Sequence, residues 1–146
     1  MNLKRRIGAL VLAIWLIAAG AEGAEPLAGF VMVVNVQNEI STISRKEVEL
    51  IFLNKKRSWP DGTKISVLIN ENLTVADSFC QTALKRSAHQ FLIFRKKMLF
   101  RGQGMPPPTL NTDKEVIAFV VGHSGSISYV SPEAVTPAVK VVPITQ

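Results

Sequence analysis

Cysteine and histidine are almost absent from this sequence of 146 residues: there is one cysteine, Cys80, and two histidines, His89 and His123. A single cysteine excludes an internal disulfide, so stability must come from a packed core. Cys80 lies beside Phe79 in a helical pattern and reads as a buried, inert thiol. A metal centre needs several His, Cys or carboxylate ligands at suitable spacing. Here the candidates are scattered and no pair has the i, i+4 spacing of a helix face, so no metal is expected. No serine sits in a Gly-x-Ser-x-Gly elbow, and His123-Ser124-Gly125-Ser126 reads as a polar turn. Gly102-Gln103-Gly104 is not followed by a helix opening, so Walker-type and dinucleotide-type phosphate loops are absent too. The carboxylates mostly fall in helix first turns or beside cations, where capping and the helix dipole explain them. With no convergent catalytic set, the chain is expected to be a non-enzyme without a cofactor.

Long hydrophobic runs are also scarce. The one that exists, Ile7 to Ala19, follows Lys4, Arg5 and Arg6 and precedes the small residues Ala19-Gly20-Ala21 and Gly23-Ala24. It is short for a membrane span and suits the core of a signal peptide. Residues 1–24 are therefore expected to be a signal peptide directing the chain to the periplasm. Residues 25–146 would form one domain with no stable membrane span after cleavage. Removing residues 1–24 takes away three cations and Glu22 and lowers the net charge from +6 to +4. Charge this mild and this dispersed does not suit a nucleic-acid partner. Lys55-Lys56-Arg57 and Arg95-Lys96-Lys97 read as solvated faces.

The rest of the chain alternates strand and helix signals. Phe30 to Val36 is a near-continuous apolar run and reads as a strand buried on both faces, as in a parallel sheet covered by helices. Ser44 with Glu47 makes a capping box for a helix carrying Val48, Ile51 and Phe52, and Asn54 suits its end. Trp59-Pro60-Asp61-Gly62 marks a turn before a strand over 64–69. Thr74 reads as the N-cap of the next helix, with Val75, Phe79 and Leu84 facing the core. Ser87 opens the longest helix, whose apolar residues are Phe91, Phe94, Met98 and Leu99. Pro106-Pro107-Pro108 dictates an extended loop, Thr112 caps a further helix, and strands follow over 126–130 and 139–142. This order predicts an α/β fold of three layers around a mainly parallel or mixed sheet. The helix start at Thr74 is the candidate anion site, because free backbone N–H groups collect there. Asn70, Asn72 and Thr74 would supply donors, while Glu71 would repel an anion.

Several segments, in this order, carry a resemblance. Ile51-Phe52-Leu53-Asn54-Lys55, then Trp59-Pro60-Asp61-Gly62-Thr63, is similar to the "IF-G-K … W-DGT" segment of phosphate-binding-protein-like domains. Phe100 to Gly104 with Pro106-Pro107, and Gly125 to Val130 beside a "GAIGYV" strand, are similar as well. The chain thus resembles substrate-binding proteins of phosphate ABC transporters over most of its length. The resemblance implies one lobe of a type 2 periplasmic-binding fold, where full-length relatives close two lobes on phosphate. Their Ser-Gly-Thr run stands here as Asn72-Leu73-Thr74, so only Thr74 carries over. The implied function is a substrate-binding-like protein taking phosphate or another small oxyanion, in connection with ABC-type transport or sensing. Its site would comprise Asn70, Asn72 and Thr74, with Arg101 and Ser126 as further candidates. The alternative is a cell-envelope interaction module without a ligand. Trp59, Met105 and the Pro106–Pro108 loop would then contact an envelope protein or a second copy.

Overall fold

A computed structural model describes residues 29–146; the expected signal peptide lies outside them. A four-stranded mixed sheet forms the middle layer. Strand β1 (Val31–Asn35) is central and pairs antiparallel with both β6 (Ser126–Val130) and β7 (Val139–Val141), while β3 (Ser66–Val67) joins β6 in parallel. The register places Met32 opposite Tyr129 and Val34 opposite Ile127. Successive side chains along a strand point to opposite faces. Accordingly Met32, Val34, Ile127 and Tyr129 enter one core cluster, with Val48, Ile51 and Phe52 of α1 (Arg45–Phe52), Val75 and Phe79 of α2 (Leu73–Ala83), and Phe91 of α3 (Ala88–Phe100). Val33 and Val130 point the other way and pack with Val116 and Val120 of α4 (Asp113–Gly122). Helices thus cover both faces, giving the expected three layers. The apolar run of β1 foretold that coverage but not strand direction: β1 is antiparallel to both neighbours.

The first core is aromatic. Phe79 stacks on Tyr129 with ring centroids 3.9 Å apart, Phe52 tilts against Phe79 at 4.7 Å, and Phe30 meets Phe79 edge-on at 5.5 Å. Such contacts add to the area these large rings bury.

Capping chemistry sets three of the four helix starts. Ser44 and Glu47 form a reciprocal box at α1, as do Ser87 and Gln90 at α3, and Thr112 accepts from the Glu115 amide at α4. Asn54 takes the left-handed backbone expected of it, with φ 61°. The fourth start departs from expectation. Helix α2 is capped by Asn72, so Thr74 already lies inside the first turn and caps nothing. The Asn72 carbonyl accepts from the amides of Val75 and Ala76, which places the helix start ahead of Thr74.

Two other departures have clear causes. The strand expected over 64–69 is two short pieces that use different partners. β3 pairs with β6, and β4 (Ile69–Asn70) pairs in parallel with β5 (Thr109–Leu110) in a separate two-stranded sheet. On α3 the inner face holds Phe91, Arg95 and Met98, and Leu99 is exposed. A second two-stranded sheet joins β2 (Ile43–Ser44) to β8 (Ile144–Thr145) and ties the last described strand to the start of α1.

Cys80 is buried, and burial pushes its thiol from 9.0 up to about 11. The folded state therefore keeps the thiol proton more tightly than the unfolded chain does. The stability linked to that proton is complete below pH 9.0 and disappears as pH rises towards about 11. Replacing Cys80 by Ala should make the decline in stability over that window shallower, as followed by urea denaturation at stepped pH. An unchanged slope would show that the thiol is not the group that titrates.

Candidate functional site

The start of α2 is built around Asn70, the last residue of β4. Its side chain is fully buried. Its Nδ2 donates to Asp113 Oδ1 at 2.7 Å and to the Tyr129 carbonyl at 3.0 Å, and its Oδ1 accepts from the Asn72 amide at 3.0 Å. The Asn70 carbonyl accepts from the Tyr129 hydroxyl at 2.9 Å. Burial raises the Tyr129 phenol well above its ordinary value, so it remains a donor at any working pH. These bonds gather the first residues of α2 and α4 at the C-terminal ends of β4 and β6. In α/β folds that is the edge where ligands bind.

Two amides remain available there. The Leu73 and Thr74 N–H groups have no acceptor among the described residues, and the Asn72 side chain makes no capping bond. Leu73 and Thr74 are both exposed to solvent. The first N–H groups of a helix carry the positive end of its dipole, so this start presents two donors and a partial positive charge.

Side chains around it carry both signs. Glu71 precedes the helix and is paired with Arg95 of α3 at 3.3 Å. Arg95 is buried, lies over the Phe91 ring at 5.4 Å, and has an Nε without an acceptor. Asp113 is held by Asn70. The site is therefore a helix start with a carboxylate on each side and one buried guanidinium behind Glu71.

The expected site residues separate into three groups. Asn72 and Thr74 flank the free amides. Asn70 is central but spends its polar atoms inside the protein, so it positions the site and offers no donor to a solute. Ser126 stands apart from the helix start. It is fully buried, and its hydroxyl donates to the carbonyls of Val120 and His123, at 3.1 and 2.6 Å. It sits at the first residue of β6, three residues and about 10 Å from Tyr129 at strand spacing, so it fastens the end of α4 and does not face α2. Arg101 caps the C-terminal end of α3 and is exposed, with no side-chain bond to the start of α2. Arg95 was missed, although a cation inside the stripe Phe91–Arg95–Met98 was a legible sign of an inward-facing charge. Trp59, expected at a contact surface, is core: it is buried, and its Nε1 donates to the Gly125 carbonyl at 3.0 Å.

Among the described residues, no group of three or more His, Cys, Asp or Glu side chains could hold a metal ion. No helix among them is long and apolar enough to cross a membrane.

Neither a protein-family model nor a curated protein sequence matches the chain. Solved structures do. An ABC-type phosphate transport receptor from Vibrio cholerae matches with a TM-score of 0.55 at 16% identity, over 80% of this chain and 46% of that protein. A substrate-binding protein with bound phosphate from Clostridium perfringens matches at 0.62 and 15%, over 80% of this chain and 44% of its own length. PstS from Borrelia burgdorferi matches at 0.59 and 12%, over 81% and 47%. The chain has the fold of phosphate-transport substrate-binding proteins, and it spans about half the length of those it matches.

If Asn70 positions the site, Asn70→Ala should act on stability first. It strands the buried Tyr129 carbonyl, along with the half-buried Asp113 carboxylate and Asn72 amide, and a buried group left without a partner costs about 1–3 kcal/mol. Urea denaturation should show a loss of at least that size. A loss within experimental error would mean that the bonds of Asn70 are replaceable by water.

Proposed function

We propose that this chain is a non-enzymatic, single-lobe substrate-binding protein of the periplasm that takes phosphate at the start of α2. The observation that carries this reading is the pair of unpartnered amides, Leu73 and Thr74, at a helix start without a side-chain cap. The shared fold with phosphate-binding proteins supports it. In this reading the amides and the Thr74 hydroxyl donate to one phosphate oxygen each. The nearby carboxylates bear on selectivity. Monohydrogen phosphate keeps an O–H that can donate a hydrogen bond to Glu71, whereas sulfate has none at neutral pH and meets Glu71 and Asp113 only as repulsion. One lobe leaves a ligand open to water, so the affinity is weak compared with that of a closed two-lobed clamp. A role beside an ABC-type transporter or sensor follows if the chain delivers or reports phosphate.

A second reading rests on exposed apolar residues. Leu73 is 85% exposed beside the amides, and Phe100 and Met105 are 86% and 84% exposed. These side chains suit a surface covered by an envelope protein or by a second copy, which would then complete the clamp.

Substitution at the helix start tests the first reading. Proline is tolerated at the first helical position and removes its N–H. Asn72, with ψ at 110°, already has the extended backbone that a following proline requires. Phosphate at about a hundred times its dissociation constant should add about 2.7 kcal/mol of stability. For a domain of this size that raises the thermal midpoint by several degrees, about 4 °C or more. Leu73→Pro should remove that rise, Thr74→Ala should reduce it, and sulfate and chloride at matched ionic strength should not reproduce it. An equal rise with sulfate, or a full rise in Leu73→Pro, would refute the site.

A further inference from the structure

A second feature shares no residue with the start of α2. A groove of about 500 Å³ runs between the free edge of β3 and the loop Gly104–Pro108. Its volume falls within the ordinary range of ligand sites. Ile51 and Phe119 contribute apolar surface, and Lys56, Arg57 and Lys64 line it as cations. No carboxylate lines it. Lys56 is paired with Glu47 at 2.6 Å, but Arg57 and Lys64 have no ion pair among the described residues.

The groove exists because a strand ladder stops short. Ser66 and Leu68 donate their amides to Gly125 and Ile127, so both face β6. Alternation along the strand turns the N–H and C=O of Val67 the other way, towards the groove. On that side the β4–β5 ladder begins only with the Ile69 amide donating to the Pro108 carbonyl at 3.0 Å. One step earlier, the same parallel register would need the Pro108 amide to donate to the Val67 carbonyl, and proline has no N–H. The three prolines therefore keep the loop from zipping onto β3. Val67 is left with a donor and an acceptor that have no partner among the described residues, on a half-buried edge. The far wall is fastened by Asn54, whose Nδ2 donates to the Gln103 carbonyl at 3.3 Å.

We propose that this groove docks an extended, acidic segment of a partner protein, which adds to the sheet edge at Val67 while its carboxylates meet Arg57 and Lys64. An open edge supplies main-chain bonds to any extended peptide, and the side chains along the groove supply the choice among peptides. Here Arg57 and Lys64 are cations without counter-charges among the described residues, so the complement is Glu or Asp on one side of the segment. The apolar lining accepts the alternate side chains. This inference is independent of phosphate binding, since its residues do not touch the start of α2.

The test uses a short fluorescent peptide of alternating Glu and Val, read by anisotropy with the purified protein. The expected result is saturable binding that weakens at about 0.5 M NaCl, where surface charges are screened. Lys64→Glu and Arg57→Glu alter exposed side chains, so the fold should survive them, as circular dichroism would confirm. Each should weaken binding about tenfold or more. A Lys–Val peptide should not bind, and N-methylation of the central amides of the Glu–Val peptide should cost a similar factor. No binding up to about 1 mM peptide would overturn the proposal. So would equal binding by the N-methylated peptide, or full competition by tripolyphosphate at equal concentration, since either would reduce the groove to a patch of charge. The phosphate-dependent thermal shift should be unchanged in both groove variants, which keeps this inference separate from the proposed anion site.

Discussion

The arrangement of the domain's open end depends on one buried amide. Asn70 closes four hydrogen bonds through its side chain and carbonyl, and these bonds join β4, β6, α2 and α4. A buried polar group is costly unless every bond is made, so the position accepts few arrangements of its neighbours. That constraint fixes where α2 starts. Because the Asn70 carboxamide takes the Asn72 amide, the chain enters the helix at Leu73, and the next two amides are left facing solvent. The aromatic stack beneath holds Tyr129 in place to donate back to Asn70. Core packing and site geometry are thus one structure: moving Phe79 would disturb the donor that anchors the turn.

Electrostatics sets what this start can take. Two free amides and a helix dipole attract an anion, and Glu71 and Asp113 oppose one. In the proposed reading the balance favours an oxyanion that still carries an O–H able to donate a hydrogen bond to a carboxylate. Arg95 tempers the repulsion by neutralising Glu71 from the protein side. Its buried Nε without an acceptor is what a guanidinium looks like when one carboxylate meets only part of its donor fork. At the other end of β3, three prolines leave cations and a strand edge open. The two surfaces differ in chemistry: one exposes helix amides, the form proposed to take a compact anion, and the other a strand edge, the form proposed to take an extended chain.

Much of the fold was legible because its signals are local. Reciprocal pairs such as Ser44 with Glu47 announce helix starts within four residues, and the apolar run of β1 announces cover on both faces. Strand direction and partner exchange at Leu68 are set by distant residues, so no local signal carries them. Residue roles around the start of α2 depend on contacts that no local signal carries. Threonine favours the capping role that the sequence assigns to Thr74, and nothing local reveals that Asn70 captures the Asn72 amide and so starts the helix earlier. Ser126 is a polar residue that opens a strand, which by itself does not show which way its hydroxyl turns. Its burial depends on α4, whose final carbonyls it satisfies. Arg95 could be seen only by noticing a cation in an apolar stripe.

The central claim is that one lobe suffices to hold phosphate through the amides that Asn70 leaves free. Nuclear magnetic resonance titration of the ¹⁵N-labelled protein with phosphate tests it most directly, since it reports each amide separately. The account predicts saturable shifts that are largest at Leu73 and Thr74, with smaller changes at Glu71 and at the start of α4. Shifts confined to Lys56, Arg57 and Lys64, or no saturable shift anywhere, would contradict it.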